Sequence, residues 1–188
     1  MARPREFDVE AAVEAAVDLF REHGFEGTSA QMLVDAMGIG RQSLYDTFGD
    51  KWGVYRSALR HYCQAEIRAH CEQLASGVKA IDGIRAMLDR VVEQAAIGCL
   101  GLGSVVEFGH ARPELVEIRE ASGAILGKAM VNALGEARAQ GDVAEDLDLE
   151  QMATFILQSI WGIRLTARAG AAPERISAMA SLTLRALR

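Results

Sequence analysis

The sequence has few of the features that build β-structure or a disulfide-bonded protein. Only three of its 188 residues are proline and three are cysteine, and aromatic residues make up 6%. Alternating β-branched runs bounded by Asn-Gly or Asp-Gly turns, the usual signal of hairpins, do not occur. Three cysteines are too few, and odd in number, for a disulfide framework, and they fit a reducing cytoplasm. These absences exclude a disulfide-rich secreted domain and argue against a sheet.

Long apolar segments and an excess of positive charge are missing too. No stretch approaches the roughly 18 uninterrupted apolar residues of a transmembrane helix, and no apolar run of a signal peptide follows residues 1–6. We therefore expect no membrane partner and a cytoplasmic location. The net charge is −6 and the isoelectric point is about 5.3, which argues against a protein that coats nucleic acid by bulk charge.

What the sequence does contain is the composition of a helical chain with a core. Half of the residues are apolar and 24% are charged. Val9, Val13, Ala16 and Phe20 form one apolar stripe at helical spacing, and Asp8 precedes them as an N-cap. Comparable patterns predict an all-α fold with nine helices, over residues 9–23, 30–37, 41–48, 51 to about 76, 81–97, 104 to about 109, 113–141, 149 to about 169, and 173 to the C-terminus.

The second and third predicted helices are short and are joined by a glycine turn, which predicts a helix-turn-helix. Leu44 and Phe48 lie four residues apart on the inward face of the third helix. The residues predicted to face outward are polar: Arg41, Gln42, Ser43, Tyr45, Asp46 and Thr47. A polar, exposed second helix is what enters the DNA major groove in such motifs. Because short helix pairs abound in all-α proteins, this pattern alone is weak.

Individual residues in this segment are more specific. Gly38 opens the turn, Leu44 and Tyr45 form a pair, Phe48 follows three positions on, and Lys51 opens the fourth helix. In this arrangement the run from residue 24 to residue 51 strongly resembles the TetR family of transcriptional regulators. The resemblance covers roughly residues 8–60.

Two positions depart from the family pattern. Gly40 stands where the family usually has serine, so the third helix lacks a capping hydroxyl, at a cost of only a few tenths of a kcal/mol. Val34 replaces the usual alanine and crowds the contact between the two short helices. Neither departure removes the motif.

The resemblance implies a homodimer that places two recognition helices in successive major grooves of a near-palindromic double-stranded DNA operator, about 34–36 Å apart. Arg41 and Gln42 are then the expected base readers, since arginine pairs with guanine and glutamine with adenine. The residues expected to bind DNA are Thr28, Ser29, Arg41, Gln42, Ser43, Tyr45 and Lys51, of which Tyr45, Lys51, Thr28 and Ser29 would contact phosphates.

Alternatives stay open for these residues. Arg41 and Gln42 are also compatible with plain solvated surface, and Tyr45 with a half-buried packing role. Arg3 and Arg5 precede the first helix, where they would form either an arm that reaches DNA or a solvated terminus.

Beyond Tyr62 the resemblance is one of layout. It implies a helix-turn-helix domain over residues 1–50 and a ligand-binding and dimerisation domain over residues 51–188, joined by the long helix from about 51 to 76. The last two helices are the expected homodimer interface, and an intramolecular core is the alternative. The resemblance also implies a binding site for an unknown small-molecule effector. The residues expected to line this site are Met87, Val91, Cys99, Phe108, His110, Met130, Phe155 and Trp161, with Glu107 and Arg164 as further polar candidates.

Core packing is the alternative for each of these lining residues. Cys99 lies beside a predicted helix start, where a thiolate would be stabilised and could act as a sensor, but it also fits a small buried apolar residue. No cofactor motif, metal-ligand spacing or nucleophile-base pair stands out, so we expect no cofactor, no metal and no enzymatic activity. The expected function is a transcriptional regulator, most often a repressor; a helical binding protein or scaffold without specific DNA binding is the alternative.

The acidity is not confined to the predicted ligand domain. Residues 1–60 hold seven basic and ten acidic side chains, a balance of −3, and the remainder holds thirteen and sixteen, again −3. DNA binding must therefore depend on a few placed cations and helix N-termini within a repelling surface. This charge pattern predicts weak non-specific binding and strong dependence on the right operator.

Overall fold

The computed structural model describes residues 7–188, and in this range it consists of nine α-helices with no strand. The prediction of an all-α fold is confirmed. The predicted arm with Arg3 and Arg5 lies outside the described residues. The helices are α1 (Val9–Gly27), α2 (Ala30–Met37), α3 (Arg41–Phe48), α4 (Lys51–Leu74), α5 (Ala80–Glu93), α6 (Leu100–Phe108), α7 (Pro113–Ala139), α8 (Leu149–Arg168) and α9 (Pro173–Arg185).

Aspartate side chains cap the N-termini of two helices, α1 and α8, at the positions that the sequence predicts. The side chain of Asp8 accepts hydrogen bonds from the amides of Glu10 and Ala11 at 2.9 and 3.2 Å. The side chain of Asp148 does the same for the second and third amides of α8, at 3.0 and 3.1 Å. Each carboxylate satisfies amides that have no partner within the helix and opposes the positive end of the helix dipole.

The largest differences between the predicted and the observed helix bounds concern α6, α5 and α1. Helix α6 begins at Leu100 rather than Ser104, because the Cys99 thiol accepts from the amide of Leu102 at 3.4 Å and caps the helix ahead of its glycines. Helix α5 ends at Glu93, earlier than residue 97. Helix α1 is interrupted at Gly24, whose backbone (φ 70°, ψ −179°) is not helical, and is followed by a short turn up to residue 27.

Among the described residues, one compact unit consists of residues 7–65 together with residues 99–120. Helices α1, α2, α3 and α6, the first part of α4 and the start of α7 supply its core. Its fully or almost fully buried side chains include Ala16, Phe20, Leu33, Leu44, Tyr55, Leu59, Leu100 and Leu115. The helix-turn-helix is therefore supported by a helix that lies far along the chain from it.

The second compact unit consists of residues 66–98 and 121–188. It contains the last part of α4, all of α5, α8 and α9, and most of α7. Its buried apolar side chains include Ile84, Met87, Leu88, Val91, Met130, Leu134, Ile156 and Ile163.

These units do not coincide with the predicted division at residue 50. The prediction followed the end of the motif, whereas the packing follows buried side chains such as Tyr55, Leu59 and Leu115. Helix α4 runs unbroken from Lys51 to Leu74 and contributes residues to both units.

Candidate nucleic-acid interface

Helix α3 is fixed by one buried side chain and presents polar groups on its other side. Leu44 is 1% exposed and Tyr45, the next residue, is 42% exposed. Arg41, Gln42 and Asp46 are exposed as well, and Ser43 is half-buried. Burial of Leu44 therefore sets which face of α3 remains available to a partner.

The exposed face of α3 carries an internal pair that the sequence analysis did not anticipate. The Nε2 atom of Gln42 donates to the Oδ1 atom of Asp46 at 2.7 Å. The pair spans one helical turn, the spacing at which glutamine and aspartate side chains meet. The second N–H of this amide and its carbonyl oxygen are left for another partner.

The first turn of α3 has no side-chain cap. Gly40 occupies the N-cap position with extended backbone and makes no side-chain hydrogen bond, as expected from the absence of a hydroxyl. A helix N-terminus with amides not occupied by a cap attracts anions such as phosphate.

The two predicted phosphate contacts at the start of α2 differ in their surroundings. Ser29 is exposed, and its Oγ atom accepts from the amide of Met32 at 3.2 Å as the N-cap of α2. Thr28 is 0% exposed, and its hydroxyl donates to the carbonyl of Gly24 at 2.7 Å. The Thr28 hydroxyl faces the connector, residues 24–29, which leads from the kink in α1 at Gly24 to the start of α2. This position does not favour its predicted contact with DNA.

Lys51 holds this connector in place. Its Nζ atom donates to the carbonyls of Phe25 and Thr28 at 2.8 and 3.0 Å and lies 4.1 Å from the centroid of the Phe25 ring. An ammonium group has three N–H donors, so these two bonds leave one for another acceptor. From the sequence, Lys51 was predicted to contact phosphate, and no local signal indicated this contact with the protein's own backbone.

Helix α6 holds the connector from another direction. Both carboxylate oxygens of Glu107 accept from the amide of Phe25, at 3.0 and 3.1 Å, across 82 residues of sequence. Phe108 packs its ring edge-on against the rings of Phe25, Trp52 and Tyr55, with centroids 5.3 to 5.6 Å apart. Glu107 and Phe108, which the sequence analysis placed among the candidates that line an effector site, thus both contact Phe25 of the connector.

The conformation of Gly24 permits the Glu107 contact. Its φ of 70° is unfavourable for residues with a side chain, and a Cβ atom at this position would lie 2.5 Å from a carboxylate oxygen of Glu107. The glycine therefore both turns the chain and lets Glu107 reach the amide of Phe25.

Helix α6 is in turn fixed by Arg119 of α7. One guanidinium nitrogen donates to the hydroxyl of Ser104 at 2.7 Å, and the other donates to the carbonyl of Gly109 at 2.6 Å, at the end of α6. Burial raises the pKa of the neighbouring Tyr55 to about 12, so its phenol stays neutral in the core.

The predicted effector-lining residues belong to both compact units and differ in burial. Met87, Val91 and Met130 are fully buried in the core of the second unit, and Cys99, half-buried, caps α6. His110 is exposed, and Phe155 and Trp161 are 48% and 38% exposed on α8. Arg164, one of the further polar candidates, is 4% exposed and belongs to an ion-pair cluster with Glu66.

Among residues 7–188, no group of three or more histidine, cysteine or acidic side chains is arranged to hold a metal ion. All three cysteines are free, and burial raises the pKa of the Cys71 thiol. In the same range no helix is both long and apolar enough to cross a membrane.

Two known protein-family models match most of the chain. The family model described as "Bacterial regulatory proteins, tetR family" matches residues 12–58. A second model, "Tetracyclin repressor-like, C-terminal domain", matches residues 79–181. The chain belongs to the tetR family. The helix-turn-helix predicted from Gly38, Leu44 and Lys51 lies within the first match.

Individual tetR-family relatives match along the whole chain. The uncharacterized HTH-type transcriptional regulator YezE of Bacillus subtilis (strain 168) is 31% identical, over 100% of both chains. The HTH-type transcriptional repressor ComR of Escherichia coli (strain K12) is 27% identical, over 97% of this chain and 90% of ComR. A cysteine mutant of the TetR family regulator CifR, solved with 26-bp operator DNA, is 30% identical over 99% and 100% of the two chains, with a TM-score of 0.83.

These similarities settle the class of protein. The relatives are transcriptional regulators, and the tetR family is not a family of enzymes. The predictions of a DNA-binding regulator and of no enzymatic activity are confirmed.

The contacts of Lys51 generate a prediction about stability. Lys51→Met keeps most of the apolar stem but removes two charge-assisted hydrogen bonds to the connector, so the free energy of unfolding should fall by about 1–3 kcal/mol. Arg41→Met, at an exposed position of α3, should change it by less than about 0.5 kcal/mol. Urea unfolding of the DNA-free protein measures both. Equal stability of the Lys51 variant and the wild type would show that these bonds contribute nothing.

Proposed function

We propose that the protein is a homodimeric repressor that binds a near-palindromic double-stranded DNA operator through α3 and leaves it when a small-molecule effector binds. The observation that carries this proposal is the exposed polar face of α3, fixed by the buried Leu44, in a tetR-family chain. The CifR relative, complexed with 26-bp operator DNA, supports the choice of partner. DNA as partner implies a cytoplasmic location.

Within this proposal, Arg41 is the principal base reader. It is exposed in the first turn of α3, and arginine donates two parallel hydrogen bonds to guanine in the major groove. While Gln42 donates one N–H to Asp46, its second N–H and its carbonyl oxygen are left for a base. The bond to Asp46 restricts the orientation of the glutamine amide on α3, so the Gln42–Asp46 pair contributes to specificity.

Phosphate contacts would position α3 on the duplex. Tyr45 and Ser29 are exposed, and Ser43 is half-buried. The third N–H of Lys51 is left for a phosphate while the other two hold the connector. Because Asp35 and Asp46 are exposed on α2 and α3, general attraction to DNA is weak and correct placement of these few contacts decides binding.

Dimerisation through α8 and α9 is supported by large apolar side chains left exposed on both helices. Phe155, Trp161 and Leu165 of α8 are 48%, 38% and 54% exposed, and Leu182 of α9 is 59% exposed. Ile156, Ile160 and Ile163, on another side of α8, are buried in the core of their own chain. The apolar surface of α8 thus serves both an intramolecular core and, in this proposal, a two-fold interface.

The effector would bind in the second unit, near Met87, Val91 and Met130 of α5 and α7. Release of DNA then requires the effector to favour a state in which the recognition helices no longer fit the grooves. Its affinities for the two states must differ by several kcal/mol to displace a tight operator complex.

Replacement of Arg41 tests the base readout. Arg41→Ala should weaken binding to the operator by about 1–3 kcal/mol and relax the base preference at one position of each half-site, with little change for random DNA. Fluorescence anisotropy with duplexes from the protein's own upstream region, at moderate salt, measures this. Arg85→Ala, an exposed arginine on α5, serves as the control. Equal affinity of the wild type for operator and random duplexes would favour a helical binding protein or scaffold instead.

Replacement of Leu165 tests the interface. Leu165→Glu puts a charge into the apolar patch on α8, so the species of twice the 20.3 kDa chain mass should dissociate to monomers in sedimentation velocity runs. Val78→Glu alters a side chain that is fully exposed elsewhere in the second unit and should leave the dimer intact. A dimer that persists in the Leu165 variant would place the interface on other helices.

A further inference from the structure

Trp52, in the first turn of α4, is a fixed aromatic platform at the surface of the first unit. Its Nε1 atom donates to a carboxylate oxygen of Glu114, in the first turn of α7, at 3.0 Å. Its ring packs edge-on against the rings of Phe25 and Phe108, with centroids 5.3 Å apart in both cases. The hydrogen bond and the two ring contacts together fix the orientation of the indole beside the connector.

Arg112, in the loop between α6 and α7, lies on this platform. Its guanidinium carbon is 5.0 Å from the centroid of the Trp52 ring, within the range of a cation–π contact. Arg112 is exposed, and within residues 7–188 its N–H groups make no hydrogen bond or ion pair. A stacked guanidinium keeps its five N–H donors at the edge of its plane. The side chain is therefore held in place while its donors are left for a partner.

Arg56 supplies a second positive charge close to the first. It is exposed on α4, one turn after Trp52. Hydrogen bonds from its own backbone amide and from Trp52 lower the pKa of Glu114, and the charges of Arg112 and Arg56 lower it further, so both guanidinium groups lie near this carboxylate. Neither arginine forms an ion pair with Glu114 or with another carboxylate in the part of the chain that the structure describes.

The two arginines lie at the end of the first unit that also carries the proposed phosphate contacts. Trp52 follows Lys51 directly, and its ring contacts Phe25 of the connector. The connector ends at Ser29, the N-cap of α2, and Lys51 has one N–H left after its two bonds to the connector. A duplex placed against Lys51 and Ser29 thus brings its backbone close to Trp52 and to the guanidinium that covers it.

We propose that Arg112, assisted by the charge of Arg56, binds a phosphate group of the DNA backbone. The planar guanidinium offers two parallel N–H donors to two phosphate oxygens. Because Trp52 already holds the guanidinium, little side-chain freedom is lost on binding. The contact carries no sequence information and helps to position α3 on the duplex.

This contact comes from outside the helix-turn-helix, since Arg112 follows α6. As a contact with the operator it rests on the function proposed above. As a contact with the backbone of any duplex it does not require that the protein be a specific repressor.

The salt dependence of DNA binding tests the contact. Each phosphate contact that is lost lowers the slope of log affinity against log salt concentration by about 1. Arg112→Gln should therefore reduce this slope by about 1 for each protomer, hence by about 2 for the proposed homodimer, with operator and random duplexes alike. Fluorescence anisotropy titrations of the full-length protein between about 50 and 200 mM salt measure the slope. A slope equal to that of the wild type would overturn the proposal.

Further variants separate a phosphate contact from a structural role. Arg112→Lys keeps the charge, and an ammonium group binds phosphate as a point charge, so its slope should stay within about 0.5 of the wild-type value. Arg85→Gln, the same loss of charge at an exposed position of α5, should leave the slope unchanged. Equal losses in Arg112→Gln and Arg85→Gln would indicate a general charge effect, and equal losses in Arg112→Gln and Arg112→Lys a structural one; either contradicts the proposal.

Two more substitutions keep the test decisive. Should Arg112→Gln not fold, as judged by urea unfolding, Arg112→Met takes its place, because it keeps an apolar stem on Trp52. Arg56→Gln should reduce the slope by less than the loss of Arg112 does. A reduction confined to Arg56→Gln would assign the phosphate contact to α4 and overturn the role of Arg112.

Operator preference and salt slope are independent readouts. If the wild type prefers the operator and Arg112→Gln leaves the slope unchanged, the proposed repressor function stands and the contact of Arg112 is overturned. If the wild type shows no preference for the operator, the proposed repressor function fails, and the slope on random duplexes still decides whether Arg112 contacts phosphate. Absence of binding to any duplex overturns both.

Discussion

The recognition helix depends on the short connector around Phe25, which is bound from two directions. The ammonium group of Lys51 holds the carbonyls of Phe25 and Thr28, and the carboxylate of Glu107 holds the amide of Phe25. The positively charged ammonium group donates to carbonyl oxygens, and the negatively charged carboxylate accepts from an amide N–H. Helix α2 begins directly after this connector, and α3 follows α2 after the short turn at residues 38–40. The connector therefore determines where α3 starts.

Local features of the chain were predictable because their causes are local. Asp8 and Asp148 cap helices by accepting from the next amides along the chain. Leu44 is buried because it is an apolar side chain on a helix that is otherwise mostly polar. The Gln42–Asp46 pair follows the same helical spacing and could have been found in the sequence. The start of α6 was missed because glycines obscured a helix that the Cys99 thiol caps.

Long-range contacts were not predictable from one sequence. Nothing in the vicinity of Glu107 indicates that it binds the amide of Phe25, 82 residues away, and the ion-pair cluster at Glu66 joins residues from three helices. On α8, buried Ile156 and exposed Phe155 are adjacent and equally apolar, so composition could not tell a core position from one on the surface. These assignments required the packing of whole helices.

The contact between Glu107 and Phe25 offers the most direct test of how α3 is positioned. Glu107→Gln removes one negative charge from an acidic protein, and electrostatics alone would then strengthen binding to any DNA. If the connector positions α3, the operator affinity of this variant, measured by anisotropy beside a random duplex, falls while its affinity for random DNA does not. An operator affinity equal to or above that of the wild type would contradict the account.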